Sequence, residues 1–229
     1  MASITPSKTH EIWGVLRDEI LSGGYRPGER LPSERDLTSR FETSRGTVRE
    51  ALKKLEQLGI VSIQPGGARV VPIEECTLDV LGPMLDLGNS PNSELIDEAL
   101  EAGSMLVDFA VRKALERNAE KTINAAREIT AEMLEAEAQQ IHAVRGPSRL
   151  IRLFTQASNH LVLRLIMNGL RRQVMERVQA TGFPPRIDPM TLRQMASDLD
   201  SALEENNTDR ISQEMLNLID LLRKAVAET

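Results

Sequence analysis

Arg35, Arg45 and Arg49, interleaved with the hydroxyls of Ser44 and Thr47, form a set of side chains suited to hold a polyanion. Each guanidinium offers a planar fork of N–H donors that fits a phosphate or the major-groove edge of guanine. A serine or threonine hydroxyl can donate to a phosphate oxygen. Arg45 and Arg49 are four apart, so a helix carries both on one face. Arg35 starts a preceding helix, where free backbone N–H groups add to the attraction for phosphate. Gly66, in the run QPGGAR, lets a backbone approach phosphates that a side chain would hold off. A merely solvated basic face would use the same residue types, so the elements that position them must decide.

Those elements read clearly. Ile12, Leu16 and Ile20 recur at helical spacing from His10 to Ser22, and Gly23-Gly24 ends that helix. YRPGERL is turn-rich. Ser33 then caps a short helix with Asp36 three residues on, and Leu37 and Phe41 share its inner face. Ser44 caps a third helix to about Leu58, whose apolar stripe is Val48, Ala51, Leu52, Leu55 and Leu58. Gly59 stops it. Two β-branched runs then flank Pro65-Gly66-Gly67 as a tight hairpin. Helix, helix, turn, helix, hairpin is the order of a winged helix-turn-helix, whose third helix enters a DNA major groove.

The charge distribution agrees. The 229 residues carry a net charge of −6, which argues mildly against nucleic acid. Residues 1–72, however, hold 11 basic and 9 acidic side chains, and eight of the basic ones lie between Arg26 and Lys54. The other 157 residues hold 17 basic and 25 acidic. Phosphate attraction is local, so a mildly basic head on an acidic body directs the head alone toward a polyanion.

Everything after Pro72 reads helical: Thr77 to about Leu87, Ser93 to Arg117, Ala119 to His142, Ser148 to Ser158, His160 to Ala180, Thr191 to Glu205 and Thr208 to Ala227. The expected fold is therefore mainly α, with a winged helix-turn-helix over residues 1–72 and an all-α bundle of about seven helices over 73–229. The helix HLVLRLIMNGLRR is apolar nearly all round in its first half, which predicts a buried central helix.

PGERLPSERDLTSRFETSRGTVREALKKLEQLGIVSIQPGGARVV resembles the DNA-binding domain of the GntR family of bacterial transcription regulators. The all-helical remainder resembles the family's FadR subfamily, above all in SELIDEAL and ASNHLVLRLIMNGLRR. The resemblance implies that Arg35, Arg45, Thr47 and Arg49 contact DNA and that Gly66 is the wing glycine. Pro65 departs from the histidine that fatty-acid-responsive members carry there. The resemblance also implies a helical domain that binds an effector and forms a homodimer.

On the effector side the residues are less committal. Many FadR-type bundles hold a metal through three histidines, but this chain has three in all and His10 lies in the head. The family's metal positions fall on Ile151, Ala196 and Leu218, so neither a metal nor another cofactor is expected; His142 and His160 read as surface or helix-end residues. Two positions that bind acyl-CoA in the subfamily fall on Gly103 and Val226. Asn168, polar within an apolar helix, either touches an effector or bonds to a neighbouring helix. Arg164, Arg171 and Arg172 either meet an anionic ligand or form a solvated face; Asn168 and Arg172 are taken as the candidate effector contacts.

Other functions fit poorly. There is no glycine-rich phosphate loop, no G-x-S-x-G and no paired-histidine motif, so no enzyme is expected. Cys76 follows Glu74 and Glu75, which oppose a reactive thiolate. Charges interrupt every apolar run long before the roughly 18 residues of a membrane span, and Met1 to His10 reads as no export signal. The expectation is a cytoplasmic homodimeric regulator of double-stranded operator DNA, modulated by a fatty-acyl derivative or an organic acid. The competing expectation is a ligand-binding or protein-interaction bundle whose head no longer binds DNA.

Overall fold

The computed structural model describes residues 7–88, 92–135, 145–175 and 188–227. They fall into two compact units, residues 1–90 and 91–229.

In the first unit, α1 (Lys8–Leu21) is capped by the Ser7 hydroxyl and buries Ile12, Leu16 and Ile20. The second helix, α2 (Glu34–Arg40), begins with a complete capping box: Ser33 Oγ accepts from the Asp36 N–H and the Asp36 carboxylate accepts from the Ser33 N–H. The third, α3 (Arg45–Leu58), buries Val48, Ala51, Leu52 and Leu55 and ends at Gly59 with φ 88°. The left-handed conformation is one that glycine adopts at no steric cost, so the helix stops there. Strands β1 (Val61–Gln64) and β2 (Gly67–Val70) pair antiparallel with Gln64 opposite Gly67, which leaves Pro65-Gly66 as the turn. Gly28 and Leu31 donate to Val70 and Ala68, so the PGERL segment pairs along the free edge of β2.

This unit extends past Pro72. Single turns at Ile73–Glu75 and Leu78–Val80 lead into α4 (Leu81–Leu85). Val80 is buried in the head core and Met84 packs against it. The expected helix Thr77–Leu87 thus belongs to the first compact unit rather than to the bundle, because its apolar side chains complete the head.

In the second unit, α5 (Ser93–Glu135) is the long central element. It breaks at Asn118, with φ −160° and ψ 83°, where the side chain accepts from the Lys121 N–H and caps the second half. This is the division expected between Arg117 and Ala119. Around α5 pack α6 (Arg145–Ala157), α8 (Pro189–Glu204) and α9 (Thr208–Ala227). Phe154, Leu150, Leu199, Leu203, Ile211 and Met215 are fully buried between them. A Cβ on Gly146 would lie 2.5 Å from Met133 Sδ, so the start of α6 approaches α5 more closely than a larger residue would allow. Arg223 binds Asp97 at 2.7 and 2.9 Å, and Arg127 binds Asp200 at 3.2 and 3.3 Å, joining both outer helices to α5.

The helix α7 (Leu161–Leu170) corrects an expectation. It is not buried all round: Leu163 is enclosed, but Leu161, Val162 and Leu165 are each about 60% exposed and Ile166 40%. The bundle packs against one face only, and an apolar composition cannot say whether a second face has a neighbour. The π-helical turn Arg171–Met175 follows. Residues 176–187 and His142 lie outside the described residues. Among the described residues no helix is long and apolar enough to cross a membrane.

Leu55 is fully buried in the head and Ile63 is 43% exposed on the wing. Leu55→Ala should therefore cost about 2–5 kcal/mol of head stability, and Ile63→Ala less than about 0.5 kcal/mol. Urea unfolding of the two variants checks this; equal losses would contradict the packing described.

Candidate functional site

The third helix buries one stripe and so presents the opposite one. Arg45 is exposed and makes no hydrogen bond or ion pair with the described residues, while Arg49 lies one turn further along the same face. The Ser44 hydroxyl accepts from the Thr47 N–H at 3.2 Å and lies 2.9 Å from Thr47 Oγ1. Both hydroxyls are thus organised at the positive end of the helix. Arg35 stands at the start of α2 with its side chain 82% exposed and Asp36 at 3.9 Å.

Arg49 is held. Its Nε donates to both carboxylate oxygens of Glu34, at 2.8 and 3.0 Å. That bond raises the affinity of the guanidinium for its proton, so it stays charged at any ordinary pH. Since Nε makes the contact, the terminal amino groups remain available to a second acceptor. A groove of about 470 Å³ runs beside this pair, lined by Arg30, Glu34, Arg49 and Lys53 and by Gln64 and Gly67 of the wing. Gly66 is exposed at the wing tip with φ 105°. Gly67, with φ 127°, lies under Arg30: a Cβ there would come 2.7 Å from Arg30 Nε.

The sequence-predicted residues Arg35, Ser44, Arg45, Thr47 and Arg49 therefore gather at the N-terminal turns of α2 and α3, with Gly66 on the wing. Sequence reasoning missed Glu34 and Arg30, and gave Lys53 no site role. Glu34 could be found only by knowing the helix-to-helix geometry, whereas Lys53 was visible on the polar face of α3.

A second candidate site lies within the bundle. A cavity of about 610 Å³ is walled by Ala99, Leu100, Gly103 and Val107 of α5, by α6 and α7, and by Ile219 and Leu222 of α9. Asn168 lines it, and so do Arg164 and Arg171; Arg172 is exposed and is not among the lining residues. Gly103 has no atom within 4 Å of the place a Cβ would take. Its wall is open space. Leu161 and Leu165 line the cavity and are each 61% exposed, so it reaches the surface along α7. His160 serves as the N-cap of α7, its Nδ1 accepting from the Leu163 N–H at 3.1 Å, with its ring edge-on to Phe109. Cys76 packs beside the head core; burial, then Glu74 and Glu75, push its thiol pKa up, which opposes a reactive thiolate.

Comparison with known proteins gives a consistent picture. Residues 8–71 match the family described as bacterial regulatory proteins, gntR family, and residues 72–220 match the FadR C-terminal domain. A fatty acid metabolism regulator protein of Erwinia tasmaniensis is 29% identical over 156 residues, 67% of this chain and 64% of that protein. The match thus spans less than two thirds of that relative's length. A protein of the same name from Haemophilus influenzae is 28% identical over 207 residues, 87% of this chain and 79% of its own. In fold, the chain is similar to a solved structure described by the words "Lar controls the expression of the Listeria monocytogenes agr system", with TM-score 0.56 and 15% identity over 99% of both chains.

Because the Ser44 hydroxyl both caps α3 and meets Thr47, Ser44→Ala should cost about 0.5–2 kcal/mol of stability, whereas Ser44→Gly should cost only a few tenths. Thermal melts of the two variants check the order; an unchanged alanine variant would remove the cap from the account.

Proposed function

The chain belongs to the GntR family of bacterial regulatory proteins and carries a FadR C-terminal domain, and from that premise we propose that it is a transcription regulator of double-stranded operator DNA. Its head reads the operator, and a small molecule in the bundle cavity shifts the affinity. The observation that carries the DNA-binding reading is the exposed, unpaired Arg45 beside Arg49, Arg35 and the wing on one face of the head. In the complex α3 enters the major groove, where Arg45 donates two hydrogen bonds to the edge of a guanine. Arg49 turns its terminal amino groups to a phosphate or base while Glu34 holds its Nε. Arg35, Ser44 and Thr47 donate to phosphate oxygens, and Gly66 lets the wing backbone approach the sugar-phosphate chain.

The regulator acts in the cytoplasm as a homodimer on a palindromic site, since two identical heads read two half-sites. The effector is a fatty-acyl derivative or an organic acid; the apolar cavity and the names of the relatives support that class. Asn168 meets it from α7. An effector that binds the two states of the protein unequally changes operator affinity by the same differential free energy.

Arg45→Ala should cost about 1–3 kcal/mol on the specific operator and relax base preference at one position. Anisotropy titrations with operator and random duplexes at physiological salt check this. Equal losses on both would make Arg45 a phosphate contact, and the absence of any sequence-preferring wild-type complex would remove the regulator reading. Glu34→Gln, which withdraws a carboxylate from the same face, should instead raise affinity for random duplex by about twofold or more at low salt, the gain fading as salt screens it.

A further inference from the structure

The bundle as a whole is acidic, with 21 acidic against 17 basic residues over 91–229. Its cavity is the reverse. Among the described residues the lining contains three arginines, Arg152, Arg164 and Arg171, and neither aspartate nor glutamate. Arg164 is the unusual member. Its Nε is buried and has no hydrogen-bond partner among the described residues. A guanidinium nitrogen withdrawn from water with nothing to donate to is costly, and such groups call for an explanation. Two other bundle arginines that lie between helices, Arg127 and Arg223, each meet a carboxylate.

The rest of the lining tells what else the occupant brings. Leu100, Val107, Leu170, Val174, Ile219 and Leu222 make most of it apolar. At about 610 Å³ it suits a ligand of ordinary small-molecule size, mostly hydrocarbon, with few polar atoms.

We propose that Arg164 is the anion anchor of this cavity and that the effector is a free carboxylic acid with an apolar chain, its carboxylate on the Arg164 guanidinium and its chain against α5 and α9. This rests on the effector reading above and narrows it: the acid is recognised unesterified. A planar carboxylate matches the guanidinium fork, and one charge on the ligand answers the one orphaned donor. A thioester or methyl ester of the same chain offers the guanidinium only a neutral carbonyl acceptor, so it loses the charge-assisted two-oxygen pair and binds more weakly.

The test uses the full chain and dodecanoate, with methyl dodecanoate, dodecyl phosphate and dodecanoyl-CoA as comparisons, titrated calorimetrically into wild type, Arg164→Met and Arg164→Lys. Wild type should bind dodecanoate at least about tenfold more tightly than the methyl ester or the thioester. Arg164→Met should bind acid and ester alike, and Arg164→Lys should restore part of the preference. Without ligand, Arg164→Met should melt no lower than wild type, because it removes an unpaired buried donor; a purely structural arginine would lower the melting temperature. Failure of wild type to bind dodecanoate, equal wild-type binding of acid and ester, or an undiminished preference in Arg164→Met would each overturn the proposal. Tighter binding of the phosphate than of the carboxylate would overturn the carboxylate assignment. Operator affinity measured on the same samples separates the two readings: binding that depends on Arg164 but leaves operator affinity unchanged would sink the effector role and not the anchor.

Discussion

Burial of Val48, Ala51, Leu52 and Leu55 fixes the rotation of α3 about its own axis, and what the head presents to solvent follows from that rotation. An amphipathic helix cannot turn by half a residue step without exposing apolar area worth about 25 cal/mol per Å². Arg45 and Arg49 therefore point outward because the opposite stripe must not. The two ends are fixed as firmly as the face. Ser44 caps the start and Gly59 ends the helix, so the register of the arginines along the groove is set as well. The wing is positioned by the same core, since Ile60, Val61, Ala68 and Val70 are buried in it.

Much of this was legible in the sequence because the governing interactions are local. Capping at Ser33 and Ser44, the stop at Gly59 and the turn at Pro65-Gly66 each involve residues within four positions of one another, and the apolar stripe is a period of the same length. What was not legible depends on distant pairs. Glu34 and Arg49 are 15 residues apart, and Arg30 reaches Gly67 from a different segment. The fate of Thr77–Leu87 depended on Val80 finding the head core, which no local pattern declares. On α7 the hydrophobic pattern was real but silent about which faces have neighbours, and half of them lack one.

The bundle site shows why phase matters. Extending the period of α7 past Leu170 draws Arg172 toward the ligand side. The chain instead passes into a π-helical turn at Arg171, which advances each residue by a smaller angle and shifts every later side chain around the axis. Arg171 and Val174 then line the cavity, and Arg172 faces solvent. Single π-helical turns of this kind are frequent at functional sites.

Two arginines now stand in contrast, and the contrast follows from dielectric. Arg49 is 64% exposed and paired with Glu34, so any phosphate that approaches must share it with a carboxylate already in place. In high dielectric that competition is mild and easily screened, and it weakens binding to every duplex alike. Contacts that depend on base identity are left to carry a larger share of the preference. Arg164 has an orphaned nitrogen inside a largely apolar wall, where unpaired polarity is expensive and pairing is correspondingly rewarding. A partner tempers the attraction of an exposed guanidinium for any anion; an unpaired donor in an apolar wall keeps that attraction whole. The net charge of −6 conceals both, because neither depends on the total. Each depends on what lies within a few ångströms of one guanidinium.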